Sequence, residues 1–320
     1  MGSVLGKRGN RDGGKDNVDE DPGSNKPLSL PLAELPEDCL ACILSHMIPR
    51  DVCRLAVVSR AFWEASKSDM VWERMLPVNY QETLKQARGE PPRLTSKREL
   101  YDCLCQKVLL KDGKQALWLD RATGGVCYVL SARALNIAWG SDPRYWEWHP
   151  QHGSRFHEVA YLRSVCRFEV SGSLRCYLQP GAYTVSFRLQ LGDEPSNMGL
   201  HSQYVVSHVR GWKLKPVKFS LSTSDGQHTE SERYLDCTEV PESKQLELSN
   251  LSPKRIVDNH WVEYDVGEFN VESTHKLVEL QFSMTEIEEG YSKSGLFLDG
   301  AIIRPSFLLP YAPNSHCFKG

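Results

Sequence analysis

No stretch of this 320-residue chain approaches the roughly 20 consecutive apolar residues that cross a bilayer. The start, Met1-Gly-Ser-Val-Leu-Gly-Lys-Arg8, lacks the apolar centre of a secretion signal, and Gly6 stands where an N-myristoylation motif needs Ser or Thr. Secretion and lipid anchoring are therefore not expected. An excess of one charge sign is missing too. Lys plus Arg number 38 against 41 Asp plus Glu, a formal charge of −3 and a pI near 6.4, so no net field draws the chain to nucleic acid or an anionic membrane. The ten cysteines form no framework: Cys39 and Cys42 make one C-x-x-C, with no second pair or histidine pair at zinc-finger spacing. They read as free thiols of a reducing compartment, cytoplasm or nucleus, with no metal and no cofactor expected. Catalytic signatures are scarce as well. There is no G-x-S-x-G elbow and no glycine-rich phosphate loop, and His157-Glu158-Val-Ala-Tyr161 puts a tyrosine where the zinc-protease helix needs its second histidine. The chain reads as a non-catalytic protein.

What is present changes character along the chain. Residues 1–27 are Gly, Asp, Lys and Asn with almost nothing to bury, which predicts disorder. From Leu30 apolar residues recur at three- and four-residue spacing. Leu40, Ile43, Leu44 and Met47 mark one helix, with Glu37 and Asp38 at its positive end. A second opens at Pro49 and presents Val52, Leu55 and Val58, a third carries Phe62 and Trp63, and a fourth carries Val71, Trp72, Met75 and Leu76. Four short helices make a very small core, so apolar surface is left for a partner or for the next domain.

Leu35-Pro36-Glu37-Asp38, Ile43-Leu44, Asp51-Val52-Cys53-Arg54-Leu55-Ala56-Val57-Val58-Ser59-Arg60 and Val71-Trp72 strongly resemble the F-box, within an expected unit at 28–76. That resemblance implies docking onto a Skp-type adaptor of a cullin-RING ubiquitin ligase, with Leu35, Pro36, Ile43, Leu44, Leu55, Val58 and Trp72 among the adaptor-facing residues. Some of them must instead form the internal core of so short a bundle. Residues 77–113 read as a helical link, in which Ser96 and Glu99 form a capping box.

After Lys114 the apolar period becomes two. Segments 116–119 and 126–130 bracket a Gly-containing turn, a hairpin reading. Tyr183, Val185, Phe187 and Leu189 alternate with polar residues, and the pattern returns at 217–221, 262–266, 278–284 and 296–298. Strands without intervening amphipathic helices predict an all-β antiparallel sandwich, jelly-roll-like, over 114–307, with a tail at 308–320. The chain as a whole is then multidomain, a small all-α unit followed by an all-β one.

Three of the eight tryptophans fall within ten residues, Trp139, Trp146 and Trp148, around the turn Gly140-Ser-Asp-Pro143. In an extended segment Trp146 and Trp148 share a face. Such rings suit either the C–H face of a sugar or the mouth of a hydrophobic core.

Cys127 to Gly140, Pro143-Arg-Tyr-Trp146-Glu-Trp148, Arg155 to Leu162 and Gly295 to Pro305 are similar to the phloem protein 2 domain, which is related to the tobacco jasmonate-induced lectin. The resemblance implies recognition of N-acetylglucosamine-containing glycans or glycoproteins by a pair of tryptophans, here Trp139 and Trp146. Tyr145, Trp148, Asp142, Arg144, Arg155 and Glu158 lie near enough in sequence to assist. Loops at Asp193 to Val205 and Ser222 to Tyr234 are expected to be longer than in the simple lectins. Two ring contacts and three hydrogen bonds at about 1 kcal/mol each give about 5 kcal/mol, a dissociation constant on the order of millimolar to high micromolar.

Overall fold

Helices come first along the chain: α1 (Glu37–Leu44), α2 (Pro49–Ala56), α3 (Arg60–Ala65), α4 (Asp69–Glu73), α5 (Tyr80–Gln86) and α6 (Lys97–Leu104). The computed structural model describes residues 35–89, 95–110, 113–151, 153–192, 209–235, 254–258 (backbone only), 261–273, 277–288 and 290–306. The expectations for residues 1–27, 193–205 and 308–320 lie outside the described residues. The helices are capped as their sequences suggest. Pro49 opens α2, and the Ser59 hydroxyl accepts from the Phe62 amide at 3.3 Å at the start of α3. At α6 the Ser96 hydroxyl accepts from the Glu99 amide at 3.2 Å, while the Glu99 carboxylate reaches back to the Thr95 amide at 2.8 Å, one residue earlier than a standard capping box. α5 lies in the segment expected to be a helical link, but its bounds were not legible: Thr83 and Leu84 are its only buried or core-packed side chains besides Tyr80, too few to set a period.

Strands follow: β1 (Val108–Leu110), β2 (Gln115–Leu119), β3 (Val126–Ser131), β4 (Asn136–Ile137), β5 (Trp146–His149), β6 (Val159–Leu162), β7 (Phe168–Tyr177), β8 (Gly181–Leu191), β9 (Val217–Thr223), β10 (His228–Arg233), β11 (Lys254–Asp258), β12 (Trp261–Val271), β13 (Leu277–Glu286) and β14 (Leu296–Pro305). Among the described residues one sheet has nine strands in the order β1-β2-β3-β14-β8-β12-β11, with β6 beside β14 and β5 beside β6; the other runs β10-β9-β13-β7-β4. All pairings are antiparallel. The chain is thus a short helical region followed by an antiparallel β-sandwich.

The sheets meet through their alternating apolar faces. Phe187 of β8 packs edge-on against Phe282 of β13 at 5.6 Å between ring centres, and Phe219 of β9 stacks on Tyr264 of β12 at 6.3 Å. Gly300 has φ of 153°, and a Cβ there would stand 1.9 Å from the Leu130 carbonyl oxygen, so glycine is what lets β14 pass β3 at its bulge.

The helical region is continuous with the sandwich, because one hydrophobic cluster runs from Leu40 through Trp72 and Tyr101 to Ile303. The Trp72 and Tyr101 rings lie 5.1 Å apart, joining α4 to α6. Residues 77–113 are not helical throughout: β1 pairs with β2, and the Arg88 amide donates to the Leu109 carbonyl at 2.9 Å, tying the end of α5 to the sheet. Ser222 to Tyr234 is not a long loop but the β9–β10 hairpin, turning at Gly226 (φ 91°). β10 reads His-Thr-Glu-Ser-Glu-Arg, an edge strand with no apolar alternation to betray it.

Candidate functional site

The tryptophan turn is assembled from β4, the residues after it, and β5. Ile137 ends β4, Ala138 donates to the Glu169 carbonyl, and Trp139 then takes φ of 61°, the one non-glycine residue with positive φ among the described residues. A bulky ring in the left-handed region costs about 1 kcal/mol or more, so the surroundings must hold it there. Two indoles do so. Trp146 Nε1 donates to the Ala138 carbonyl at 3.1 Å and Trp148 Nε1 to the Gly140 carbonyl at 3.3 Å, the two carbonyls that flank Trp139. Gly140 is required by close approach, since a Cβ there would come within 2.9 Å of Ile137 Cβ.

The tryptophans therefore divide. Trp139 is 64% exposed, while Trp146 is only 2% exposed, packed near Phe168 with ring centres 6.4 Å apart. The expectation that Trp146 stacks on a sugar is corrected: its indole faces the core and its one polar atom is already used. Trp148 is half-buried, covered by the Arg133 guanidinium at 3.5 Å from its ring centre. β5 carried the signal that separates them. Glu147 and His149 alternate with Trp146 and Trp148 and pair with Arg163 (2.7 Å) and with each other (3.1 Å), so the polar residues mark one face as outward and the indoles as inward.

Tyr145 is the second aromatic at the surface of this turn, its ring 5.9 Å from that of Trp139 and tilted by 50°. Asp142 accepts from the Arg144 amide at 3.0 Å and from its guanidinium at 2.7 Å. The Arg144 guanidinium and amide hold the Asp142 carboxyl below the usual carboxylate range. Glu158 accepts at 2.9 Å from Arg133, the arginine that covers the Trp148 ring.

Arg155 does something else. Its Nη2 donates to Glu263 at 2.8 Å, its amide to Asp299 at 3.2 Å, and its carbonyl accepts from Lys107 Nζ. It belongs to an ionic network under the 150–158 loop, with Arg304 on Glu263 at 2.6 Å and Arg188 on Asp299 at 2.7 Å, the latter pair fully buried. Burial opposes charge on Glu263, but the Arg304 and Arg155 guanidiniums overcome it and hold its carboxyl below the ordinary range. Arg155 as a sugar ligand is accordingly corrected to a clamp of the loop. His157 and Glu158 lie on that loop and Tyr161 on β6, so the stretch has no helical metal-ligand geometry. The acidic run at 286–289 is also not simply solvated: Glu286 is buried and pairs with buried Lys293, whose Nζ also donates to the Cys166 carbonyl.

In the helical region, eight of the twelve large apolar side chains exposed among the described residues lie between Ile43 and Val78. That is where uncovered apolar surface concentrates. Val58 is 69% exposed and Ile43 37%; Pro36 is exposed, and Leu35 and Leu55 half-buried. Leu44 (0%) and Trp72 (2%) are corrected to internal core, Trp72 Nε1 donating to the Ser66 carbonyl at 2.7 Å. Residues i and i+1 of a helix point about 100° apart, which is why Ile43 faces out and Leu44 in. Exposed Met47, Ile48, Val57 and Trp63 join the outward set. The sequence pattern could not sort them, because α1 carries apolar side chains both on its buried face, at Leu40, Ala41 and Leu44, and on its exposed one, at Ile43.

Family models match at residues 32–77 (F-box-like) and 125–305 (Phloem protein 2). F-box protein PP2-A15 of Arabidopsis thaliana is 40% identical over 275 residues, 86% of this chain and 88% of that protein. F-box protein PP2-A13 of the same plant is 36% identical over 278 residues, 86% and 89% of the two chains. Among solved structures, the TmCBM61 module in complex with β-1,4-galactotriose aligns to 54% of this chain and 87% of its own at 14% identity and a TM-score of 0.26, too distant to inform on a ligand.

Proposed function

Since the chain belongs to the phloem protein 2 family and carries an F-box-like segment, we propose that it is the substrate receptor of a cullin-RING ubiquitin ligase, held by a Skp-type adaptor and recognising a glycan or glycoprotein through its sandwich. It works in the cytoplasm or nucleus and catalyses nothing itself. Its contribution is proximity: a client held beside the ubiquitin-charged enzyme meets it as an effectively intramolecular reactant. The adaptor docks on Leu35, Pro36, Ile43, Leu55 and Val58, with Met47 adding apolar area.

The observation that carries the sugar reading is the clamped, exposed Trp139 beside Tyr145. A ring fixed in advance loses little entropy on binding, and the C–H face of an N-acetylglucosamine residue fits against it. Asp142, Arg144 and Glu158 supply polar contacts at the rim, whereas Trp146 and Trp148 act by holding the turn. One platform ring plus its neighbour contributes about 1–2 kcal/mol, so useful affinity comes from multivalent glycans or added protein contacts. On a glycan array, wild type is expected to bind N-acetylglucosamine-containing glycans and Trp139→Ala to lose them with its fold intact; a folded wild type that binds no glycan ends this reading. For the adaptor, Val58→Asp is expected to abolish co-purification with a Skp-type protein, and an unchanged yield of complex would contradict the docking face.

The burial of Trp146 also suits a second reading, in which the sandwich binds a protein or peptide. It predicts capture of the client after enzymatic removal of all its glycans.

A further inference from the structure

A groove of about 560 Å³ lies where α2, α4 and α6 meet the β2–β3 turn. Its walls carry four arginines from three elements, Arg50 and Arg54 on α2, Arg98 on α6 and Arg121 at the turn, against a single carboxylate, Asp102. The floor between them is apolar, with Trp72 below and Val57, 86% exposed, at the margin. The local charge is opposite to that of the chain, whose formal charge is −3. The groove is fixed in shape by its supports. α2 rests on the turn, where Pro49 would lie 3.1 Å from a Cβ at Gly124, and the Asp120 carboxylate holds that turn through the Thr123 amide at 2.8 Å. Arg98 stacks over Trp72, its guanidinium carbon 5.4 Å from the ring centre, which restrains the plane of the fork. Arg54 meets Asp51 at 3.3 Å, but both side chains are about half exposed and such a pair is readily exchanged for another carboxylate.

Like charges brought to one concave, partly apolar site fit an anionic occupant with greasy side chains, since each guanidinium can take a carboxylate in a two-pronged hydrogen bond while the floor takes the apolar part. A shallow concave site whose arginines come from three separate elements suits a single short segment better than the continuous basic stripe that tracks a nucleic-acid backbone. We propose that this groove is a docking site for an acidic peptide segment of a partner protein, its carboxylates meeting Arg50, Arg54, Arg98 and Arg121 and an apolar side chain between them seated between Val57 and Ala122. The site is independent of any sugar bound at Trp139, and it adjoins the apolar helical face without needing the adaptor.

The test uses the full chain and fluorescein-labelled short peptides alternating Glu with Leu or Lys with Leu, read by anisotropy. The Glu/Leu peptide is expected to bind and the Lys/Leu peptide not to. Affinity should fall as salt rises from about 0.05 to about 0.5 M, and the double variant Arg98→Gln, Arg121→Gln should weaken binding at least about tenfold. Both substitutions are at accessible side chains, and an unchanged circular dichroism spectrum shows that the variant is folded; a misfolded one is replaced by Arg50→Gln, Arg54→Gln. Equal binding of the two peptides, or no loss in either arginine variant, overturns the assignment. So does displacement of the Glu/Leu peptide by a Skp-type adaptor, which would make the groove part of the adaptor's own footprint.

Discussion

Trp139 occupies a backbone conformation that its side chain disfavours, and the two carbonyls beside it are the ones that the neighbouring indoles seize. Of the tryptophan cluster, the sequence made the composition and the turn legible, but not which ring is offered to solvent. That depends on which face of β5 the sandwich covers, a fact fixed by strands far along the chain. Glu147 and His149 held the clue. The division of labour has a measurable consequence. Trp146→Phe keeps an aromatic ring in the core but removes the N–H donated to Ala138, at a cost of about 1 kcal/mol. Amide hydrogen exchange is expected to quicken in residues 138–142 while the β8 and β14 amides keep their protection. Unchanged exchange in the turn would mean that the indole hydrogen bond does not hold Trp139.

At the scale of elements, strands whose apolar residues alternate in sequence were readable: β9 and β13 bury every second side chain between the sheets, while β8 buries Tyr183 to Leu189 on both faces. β10 was not, because it is an edge strand of polar and charged residues; β5 was expected as an extended segment bearing Trp146 and Trp148, but its four residues do not by themselves say which face the sandwich covers. The outer face of the nine-stranded sheet was equally hidden, since Arg188, Glu263 and Asp299 look solvent-facing in the pattern and are buried under the 150–158 loop. Glu263→Gln leaves Arg155 and Arg304 without their shared counter-charge and is expected to lower unfolding stability by about 3 kcal/mol, read from urea midpoints. The pH dependence follows the same carboxylate. Its folded-state pKa is depressed, so its contribution is present above the ordinary glutamate value near about 4.3 and disappears as pH falls through the lower folded value. Wild type should therefore lose stability more steeply than Glu263→Gln in acid. Parallel curves would show that Glu263 is not a source of the acid sensitivity.

For the whole molecule, two successive patterns, period near four and then period two, foretold a helical region followed by a sandwich. They did not foretell how firmly the two are joined, because the join is made by Trp72, Tyr101 and β1 rather than by any patterned face. Trp72→Ala removes a ring at that junction and is expected to cost about 3–5 kcal/mol. Unfolding followed by the helical far-ultraviolet signal and by sandwich-specific near-ultraviolet signals should shift together in one transition. Separate midpoints would reveal two independently melting parts. A shared interior also governs aim. On the function proposed above, the absence of slack between the adaptor face and the sandwich would present the cargo at one bearing, so that only lysines lying along that line of approach would come within range of the incoming ubiquitin.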